Sequence, residues 1–175
     1  MAPASESRSE NAGLTFEDLL VHRESIFRIC LGFCRDYTEA EDLAQDVYLK
    51  ACRSIAALED PGVSKEWLCR IAKNTCLDRT KKIRIRAILL RRWAQVEKPS
   101  DEPESACPAD ERLSRLKAAI RRLPEKLRSV FILRIYGHLA YEEIAAILDL
   151  PRGTVMSRLN RARAGIAEML EEKTL

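Results

Sequence analysis

The spacing of apolar residues is the feature that most restricts how this chain can fold. From residue 14 to residue 82, apolar side chains recur every three or four positions, in segments 16–33, 39–56 and 64–82. This is the repeat of an α-helix with one buried face. No segment sustains the two-residue alternation of a half-buried β-strand. The sequence therefore predicts an all-α fold.

A second helical block begins near Asp110. An apolar stripe at Leu113, Leu116, Ile120 and Leu123 is interrupted by Pro124. The pattern resumes with Leu127, Val130, Phe131 and Ile135 and turns at Gly137. Two further short helices follow, so we expect a four-helix unit.

The stretch between the blocks has a different composition. Residues 97–108 contain three prolines and many acids, with almost nothing to bury, which is typical of a flexible linker. We therefore predict two small helical domains, with a disordered tail over 1–13, the first domain over 14–92, the linker over 93–110 and the second domain over 111–175.

The last two predicted helices form a helix-turn-helix pattern. The first has apolar Ile144, Ala145 and Leu148, and Pro151 and Gly153 break the chain after it. The second buries Val155, Leu159, Ala162 and Ile166, and residues 151–167 include no acid. A cationic second helix is typical of a helix that reads the DNA major groove. A solvated basic face on an ordinary helical hairpin is the alternative.

Charge is segregated along the chain although the net charge is only +3. Residues 70–92 hold nine Lys or Arg against one acid, whereas residues 97–111 hold six acids against one Lys. Such blocks indicate surfaces for different partners. The helix over 39–56 has an acidic outer face that suits a basic or polar protein partner, unless the face is simply solvated.

The helix that starts near Ser64 has the opposite charge. Lys65, Arg70, Lys73 and Asn74 are expected on its outer face, followed by further Lys and Arg as far as residue 82. Such a face can hold backbone phosphates of a nucleic acid. Trp67 is either a stacking platform for a base or, as its spacing with Leu68 and Ile71 favours, a core residue.

The six cysteines are expected to act mainly as small apolar side chains in a reducing compartment. Cys30 and Cys34 are one helical turn apart, with Phe16, Leu19, Phe27 and Phe33 on the same stripe, so metal binding or redox sensing is the alternative. We predict no metal and no cofactor, because four closely spaced ligands are absent. The sequence lacks a bilayer-spanning apolar run and a signal peptide, so we expect a cytoplasmic protein.

Three stretches together resemble the bacterial RNA polymerase sigma factors of the extracytoplasmic-function (ECF) group. They are YTEAEDLAQDVYLKA at 37–51, EWLCRIAKNTCLD at 66–78, and LPEKLRSVF at 123–131 continuing to GTVMSRLNRAR at 153–163. The resemblance covers residues 16–170 except the linker. It implies a two-domain sigma factor made of regions two and four, which is not itself an enzyme.

The resemblance also implies partners and site residues. Core RNA polymerase would bind the acidic helix, promoter DNA would bind two surfaces, and an anti-sigma factor, membrane-anchored in some relatives, would hold the protein inactive. No small-molecule substrate is implied. The polymerase-binding residues would be Glu39, Glu41, Asp42, Gln45 and Asp46; the −10 readers Lys65, Arg70, Lys73 and Asn74; and the −35 readers Arg152, Thr154, Met156, Ser157, Arg158, Asn160 and Arg161.

Two other functions fit the residues without the resemblance. A stand-alone dimeric helix-turn-helix regulator would bind duplex DNA tightly on its own. A protein-interaction adaptor would show no salt-dependent DNA binding.

Overall fold

The computed structural model describes residues 15–34, 36–55, 64–94 and 108–171, and within these ranges every regular element is a helix. The eight described helices are α1 (Phe16–Leu20), α2 (Arg23–Phe33), α3 (Tyr37–Ser54), α4 (Ser64–Ala94), α5 (Pro108–Arg122), α6 (Glu125–Ile135), α7 (Tyr141–Leu148) and α8 (Arg152–Glu171). The predicted all-α class is confirmed. The predicted tail, most of the predicted linker and the loop at 56–63 lie outside the described residues.

Helices α1 to α4 form the first unit, which packs around buried Leu19, Ile26 and Leu68. The single helix predicted over 16–33 is wrong, because the chain turns at Val21 and His22. His22 leaves helical geometry with φ −94° and ψ 5°. The turn allows Leu19 and Ile26 to be fully buried together, although they lie on different helices.

Helix α4 is longer than the periodicity predicts. Its apolar face packs on α2 and α3 in its first half, but the helix continues beyond residue 82 to Ala94. No Gly or Pro interrupts residues 80–94, so nothing in the chain stops the helix. Its second half exposes Ile83, Ile85, Ile88, Leu89 and Leu90.

Helices α5 to α8 form the second unit. The predicted break at Pro124 is confirmed, since α5 ends at Arg122 and α6 begins at Glu125. The predicted stripe on α6 is only partly right. Ile132 and Leu133 are fully buried, whereas Ile135 is 41% exposed. Helix α6 is covered on several sides because it packs against α7, α8 and also α2 of the first unit.

The two units pack against each other, which the sequence pattern does not predict. Helix α2 contacts α6, and α4 contacts α7. Two glycines lie at the first of these contacts: a Cβ added at Gly32 would lie 2.7 Å from Cγ2 of Ile132, and one added at Gly137 would lie 3.1 Å from Cδ1 of Ile29. The absence of side chains at these positions allows the helices to approach closely.

Candidate nucleic-acid and protein interfaces

The turn between α7 and α8 is built by Asp149. This residue adopts the left-handed conformation with φ 53°, and the Leu150 N–H donates to the Ala145 carbonyl at 3.0 Å. The predicted break at Pro151 lies at this turn. The predicted break at Gly153 is wrong, because Gly153 lies in the first turn of α8 with helical neighbours. Asp tolerates the left-handed region because its short polar side chain can bond locally.

Helix α8 has a buried face and an open face, as the spacing predicts. Val155, Leu159, Ala162 and Ile166 are buried. The seven predicted −35 readers all lie in its first three turns: Arg152, Met156, Ser157, Asn160 and Arg161 are exposed, and Thr154 and Arg158 are half-buried. The structure therefore brings all seven onto one short length of helix.

Arg152 of this set already forms an ion pair. The Nε of Arg152 lies 2.8 Å from Oε1 of Glu142 on α7, and both side chains are more than 60% exposed. An exposed ion pair of this kind adds little stability and is screened by salt. Arg152 therefore remains available to an incoming phosphate.

The acidic face of α3 is open to solvent, with one exception. Glu41, Asp42, Gln45 and Asp46 are exposed. The side chain of Glu39 is only 20% exposed and turns toward α4, where its Oε1 lies 3.7 Å from Nε of Arg79. Glu39 thus lies at the flank of the face rather than on it.

A groove of about 900 Å³ runs beside this acidic face, between α1, α2 and α3. Its walls include Phe16, Leu20, Tyr37 and Leu49, all at least 39% exposed, and Glu41 and Gln45 line it as well. An apolar groove beside acidic side chains fits an amphipathic helix with basic edges.

The sequence pattern does not predict the apolar part of this groove. It places Phe16 in the core stripe of residues 16–33, but the turn at Val21 interrupts that stripe and leaves Phe16 42% exposed. The Phe16 ring packs edge-on against Tyr48 at 6.0 Å. The Tyr48 hydroxyl is buried, and burial raises its pKa to about 12.

The predicted −10 readers lie at the junction with the second unit. Lys65 Nζ donates to Glu143 Oε1 of α7 at 2.5 Å, and Arg70 Nη2 donates to the Ala146 carbonyl at 2.5 Å. Lys73 is half-buried, and burial together with nearby Arg70 lowers its pKa. Asn74 is exposed, and Trp67 packs against the core as its spacing favours.

Glu143 is held by groups from both units. Partial burial favours its neutral form, but the Lys65 ammonium and the Ala140 N–H outweigh this and lower the pKa of Glu143 below its ordinary value. Its two oxygens are used separately: Oε1 accepts from Lys65 and Oε2 from Ala140 at 2.5 Å. The carboxylate therefore joins the start of α7 to α4.

Four of the cysteines are buried among apolar side chains, as predicted: Cys30, Cys34, Cys69 and Cys76. Burial raises the pKa of Cys34 and of Cys69 to about 12, and a hydrogen bond with Cys30 raises that of Cys76. These are properties of unreactive core thiols. Cys52 is exposed and lines the groove, and Cys107 lies outside the described residues.

Among the described helices, none combines the length and the hydropathy that a bilayer span requires.

Two parts of the chain match models of known protein families. Residues 20–85 match the model of the family described as Sigma-70 region 2, and residues 113–165 match that of Sigma-70, region 4.

Individual proteins are similar over most of their length. The ECF RNA polymerase sigma factor SigW of Bacillus subtilis is 29% identical over 90% of this chain and 89% of its own. The RNA polymerase sigma-H factor of Pseudomonas aeruginosa is 32% identical over 88% and 86%, respectively. The solved sigma factor RpoE of Bartonella quintana, in complex with the anti-sigma factor NepR, superposes with a TM-score of 0.66 at 27% identity, covering 89% of this chain and 95% of that one.

Three observations indicate the same family: the order of the two units, the helix-turn-helix with its open cationic face, and these similarities. The alternative of a stand-alone dimeric regulator is not favoured, because the first unit also matches a sigma-factor region. The chain belongs to the ECF sigma factors, which direct transcription initiation.

Proposed function

We propose that this sigma factor docks on core RNA polymerase through α3 and the groove beside it. The main supporting observation is that one chain combines an acidic, grooved face on α3 with a cationic face over residues 152–163 of α8, where no acid occurs. Asp42 and Asp46 steer a basic partner, while Phe16 and Leu49 provide apolar contact. Glu39 contributes from the flank.

Helix α8 reads the −35 element in the major groove. Arg161 is the side chain suited to bidentate contact with guanine, whereas Met156 offers only apolar contact to a base. Arg152, Thr154, Ser157 and Arg158 lie near phosphates, and Asn160 lies near base edges. Phosphate contacts set the position of the helix and base contacts set its specificity.

The start of α4 reads the −10 element as single strand. Lys65, Arg70 and Lys73 hold the backbone of the unpaired strand, and Asn74 contacts it nearby. Duplex binding by α8 and single-strand capture by α4 then act on one promoter. The division into domains at 14–92 and 111–175 suits this arrangement.

An anti-sigma factor is the regulatory partner. Support comes from the Bartonella quintana relative, which was solved in complex with the anti-sigma factor NepR. The complex would form in the cytoplasm. The chain supplies specificity to the polymerase and performs no catalysis of its own.

Reconstituted transcription tests the proposal. Core polymerase is assayed with and without this protein on the promoter upstream of its own gene, and initiation should depend on the protein. The double variant Asp42→Lys/Asp46→Lys should weaken binding to core polymerase by about 10-fold, because charge reversal at a rim slows docking. Glu111→Lys, an exposed charge reversal on α5, is the matched control. If the protein directs no initiation, the proposed function is wrong. If Glu111→Lys weakens binding to core polymerase as much as the double variant does, the docking assignment is wrong.

A further inference from the structure

The second half of α4 leaves a run of large apolar side chains open to solvent. Between 45% and 58% of each is exposed: Ile83, Ile85, Ile88, Leu89 and Leu90. As a helix, residues 79–90 are about 18 Å long. Exposed apolar residues that follow one another along a helix mark a binding surface, whereas single ones need no explanation.

The same segment carries a dense positive charge. Residues 79–90 include five cations and no acid. One of the cations, Arg79, lies 3.7 Å from Glu39. The other four are exposed and form no ion pair with any described acid: Lys81, Lys82, Arg84 and Arg86. A ligand for this segment must therefore offer negative charge together with apolar contact.

The apolar side chains are not confined to one face of the helix. At 3.6 residues per turn they fall into two stripes on opposite sides, Ile83 and Leu90 on one and Ile85, Ile88 and Leu89 on the other. A rigid protein groove would cover one stripe and leave the other in water. The interface of a lipid bilayer is fluid and surrounds an inserted helix on several sides, while Lys and Arg bury their stems and extend their charged ends to the headgroups.

From this arrangement we propose that the second half of α4 is a docking site for an anionic lipid bilayer. The helix lies in the plane of the interface, with its aliphatic side chains at the boundary of headgroups and acyl chains and its cations at the lipid phosphates. Five cations in residues 79–90 exclude an orientation across the bilayer. The site uses none of the residues to which a promoter or polymerase role is assigned above, so it does not depend on the proposed function.

Other occupants satisfy only part of these requirements. A nucleic acid offers phosphates, but its affinity comes from charge and base stacking and not from aliphatic contact. A second copy of the same helix would bring its own cations, and like charges placed together cost binding energy. The acids of residues 97–111 complement the charge, but residues 97–108 have almost nothing apolar to contribute. An anionic bilayer provides both kinds of contact.

Vesicle flotation with the full chain tests the proposal. The probes are vesicles of phosphatidylcholine alone and vesicles of an equal mixture of phosphatidylcholine and phosphatidylglycerol. Wild type should bind the mixed vesicles about 10-fold more tightly than the neutral ones or better, because the cations contribute only at an anionic surface. Raising the salt concentration should weaken this binding.

A charge variant tests the electrostatic contribution. Arg84→Gln/Arg86→Gln should weaken binding to the mixed vesicles about 20-fold, since each cation near an anionic surface contributes about a factor of 5. Arg112→Gln/Lys126→Gln is the matched control, because it removes two exposed cations from other helices. This control should bind the vesicles like wild type.

An apolar variant tests the contact with acyl chains. Ile83→Ser/Leu90→Ser should weaken binding to the mixed vesicles about 10-fold, because two aliphatic side chains no longer leave water. Val21→Ser/Leu113→Ser removes two exposed apolar side chains elsewhere and should bind like wild type. Circular dichroism should show the same helix content in all four variants, because every substituted side chain is exposed.

The proposal is overturned if wild type does not bind the mixed vesicles, if it binds both kinds equally, or if the serine variant of α4 binds like wild type. In the last case, loss of binding to a thymidine oligonucleotide in the glutamine variant of α4 would identify a nucleic-acid site instead. Transcription with core polymerase in the absence of vesicles tests the proposed function separately. Loss of initiation there would leave the vesicle result unchanged, and loss of vesicle binding would leave initiation unchanged.

Discussion

At the scale of the residue, the most informative side chains are those that form hydrogen bonds with two different groups. Glu143 accepts from the Ala140 N–H at the start of α7 and from Lys65 of the first unit. The charge of Lys65 and its place on the outer face of α4 follow from the sequence pattern. Its partner does not, because periodicity describes one helix at a time and Glu143 is 78 positions away.

Arg161 provides a prediction for promoter reading. Arg161→Ala should lower affinity for −35 duplex by about 1–3 kcal/mol and relax specificity at one base pair, because a bidentate guanine contact is lost. The measurement is binding by the complex with core polymerase to promoters altered at single −35 positions. Arg163→Ala removes the same charge from another side of α8 and should weaken all sequences equally. Equal relaxation by both variants would contradict the assignment of Arg161.

The buried thiols predict how the stability of the fold depends on pH. In the folded chain the pKa of Cys34 and of Cys69 is raised to about 12, from an ordinary value of 9.0. Their neutral forms therefore stabilise the fold fully below pH 9, and this stability is lost as the pH rises toward 12. The urea midpoint should fall between pH 8 and pH 10, and by less in Cys34→Ala. An identical fall in that variant would exclude Cys34 as a contributor.

At the scale of the element, periodicity predicts which helices exist better than where they begin and end. The buried positions of α8 follow directly from spacing, whereas the turn at Val21 has no Gly or Pro to announce it. The start of α3 is a similar case. Thr38 has the chemistry of an N-cap, but the cap is Asp36, whose Oδ1 accepts from the Glu39 N–H at 2.8 Å. Several polar residues in succession leave such a choice open to the geometry of the preceding turn.

The cap of α3 can be tested directly. Asp36→Ala should reduce the free energy of unfolding by about 1 kcal/mol, since one N–H at the start of the helix loses its acceptor. Thr38→Ala, an exposed position already inside α3, should change it by less than about 0.5 kcal/mol. Urea denaturation followed by circular dichroism measures both. A larger effect at Thr38 than at Asp36 would assign the cap to Thr38 instead.

At the scale of the whole molecule, the two units are each predictable and their packing is not. The apolar spacing of α2 identifies its inner face, but the spacing of α6 identifies only part of its own, because Ile132 is buried partly by the other unit. Among the described residues, Gly32 and Gly137 are the local signs of this packing, and a glycine in a sequence does not say which helix approaches it. The groove beside α3 was missed for the same reason, since it depends on how α1 is placed.

Packing between the units should also appear in unfolding. Wild type is expected to unfold in one urea transition, because each unit buries apolar surface of the other. The variant Gly32→Glu, whose added side chain would clash with Ile132 of the second unit, should split this single transition into two. Gly153→Glu is the matched control, since an added Cβ at Gly153 meets no atom within 4 Å. Two transitions in wild type itself would show that the units are thermodynamically independent.

Cys52 is a native thiol at which the folded protein can be labelled. Among the described cysteines it alone is exposed, while the other four are buried, and it lines the groove beside the acidic face of α3. A maleimide dye should therefore attach there selectively once Cys107 is replaced by serine. Its emission would change as the polymerase covers the groove, so one native thiol turns the chain into a real-time reporter of holoenzyme assembly.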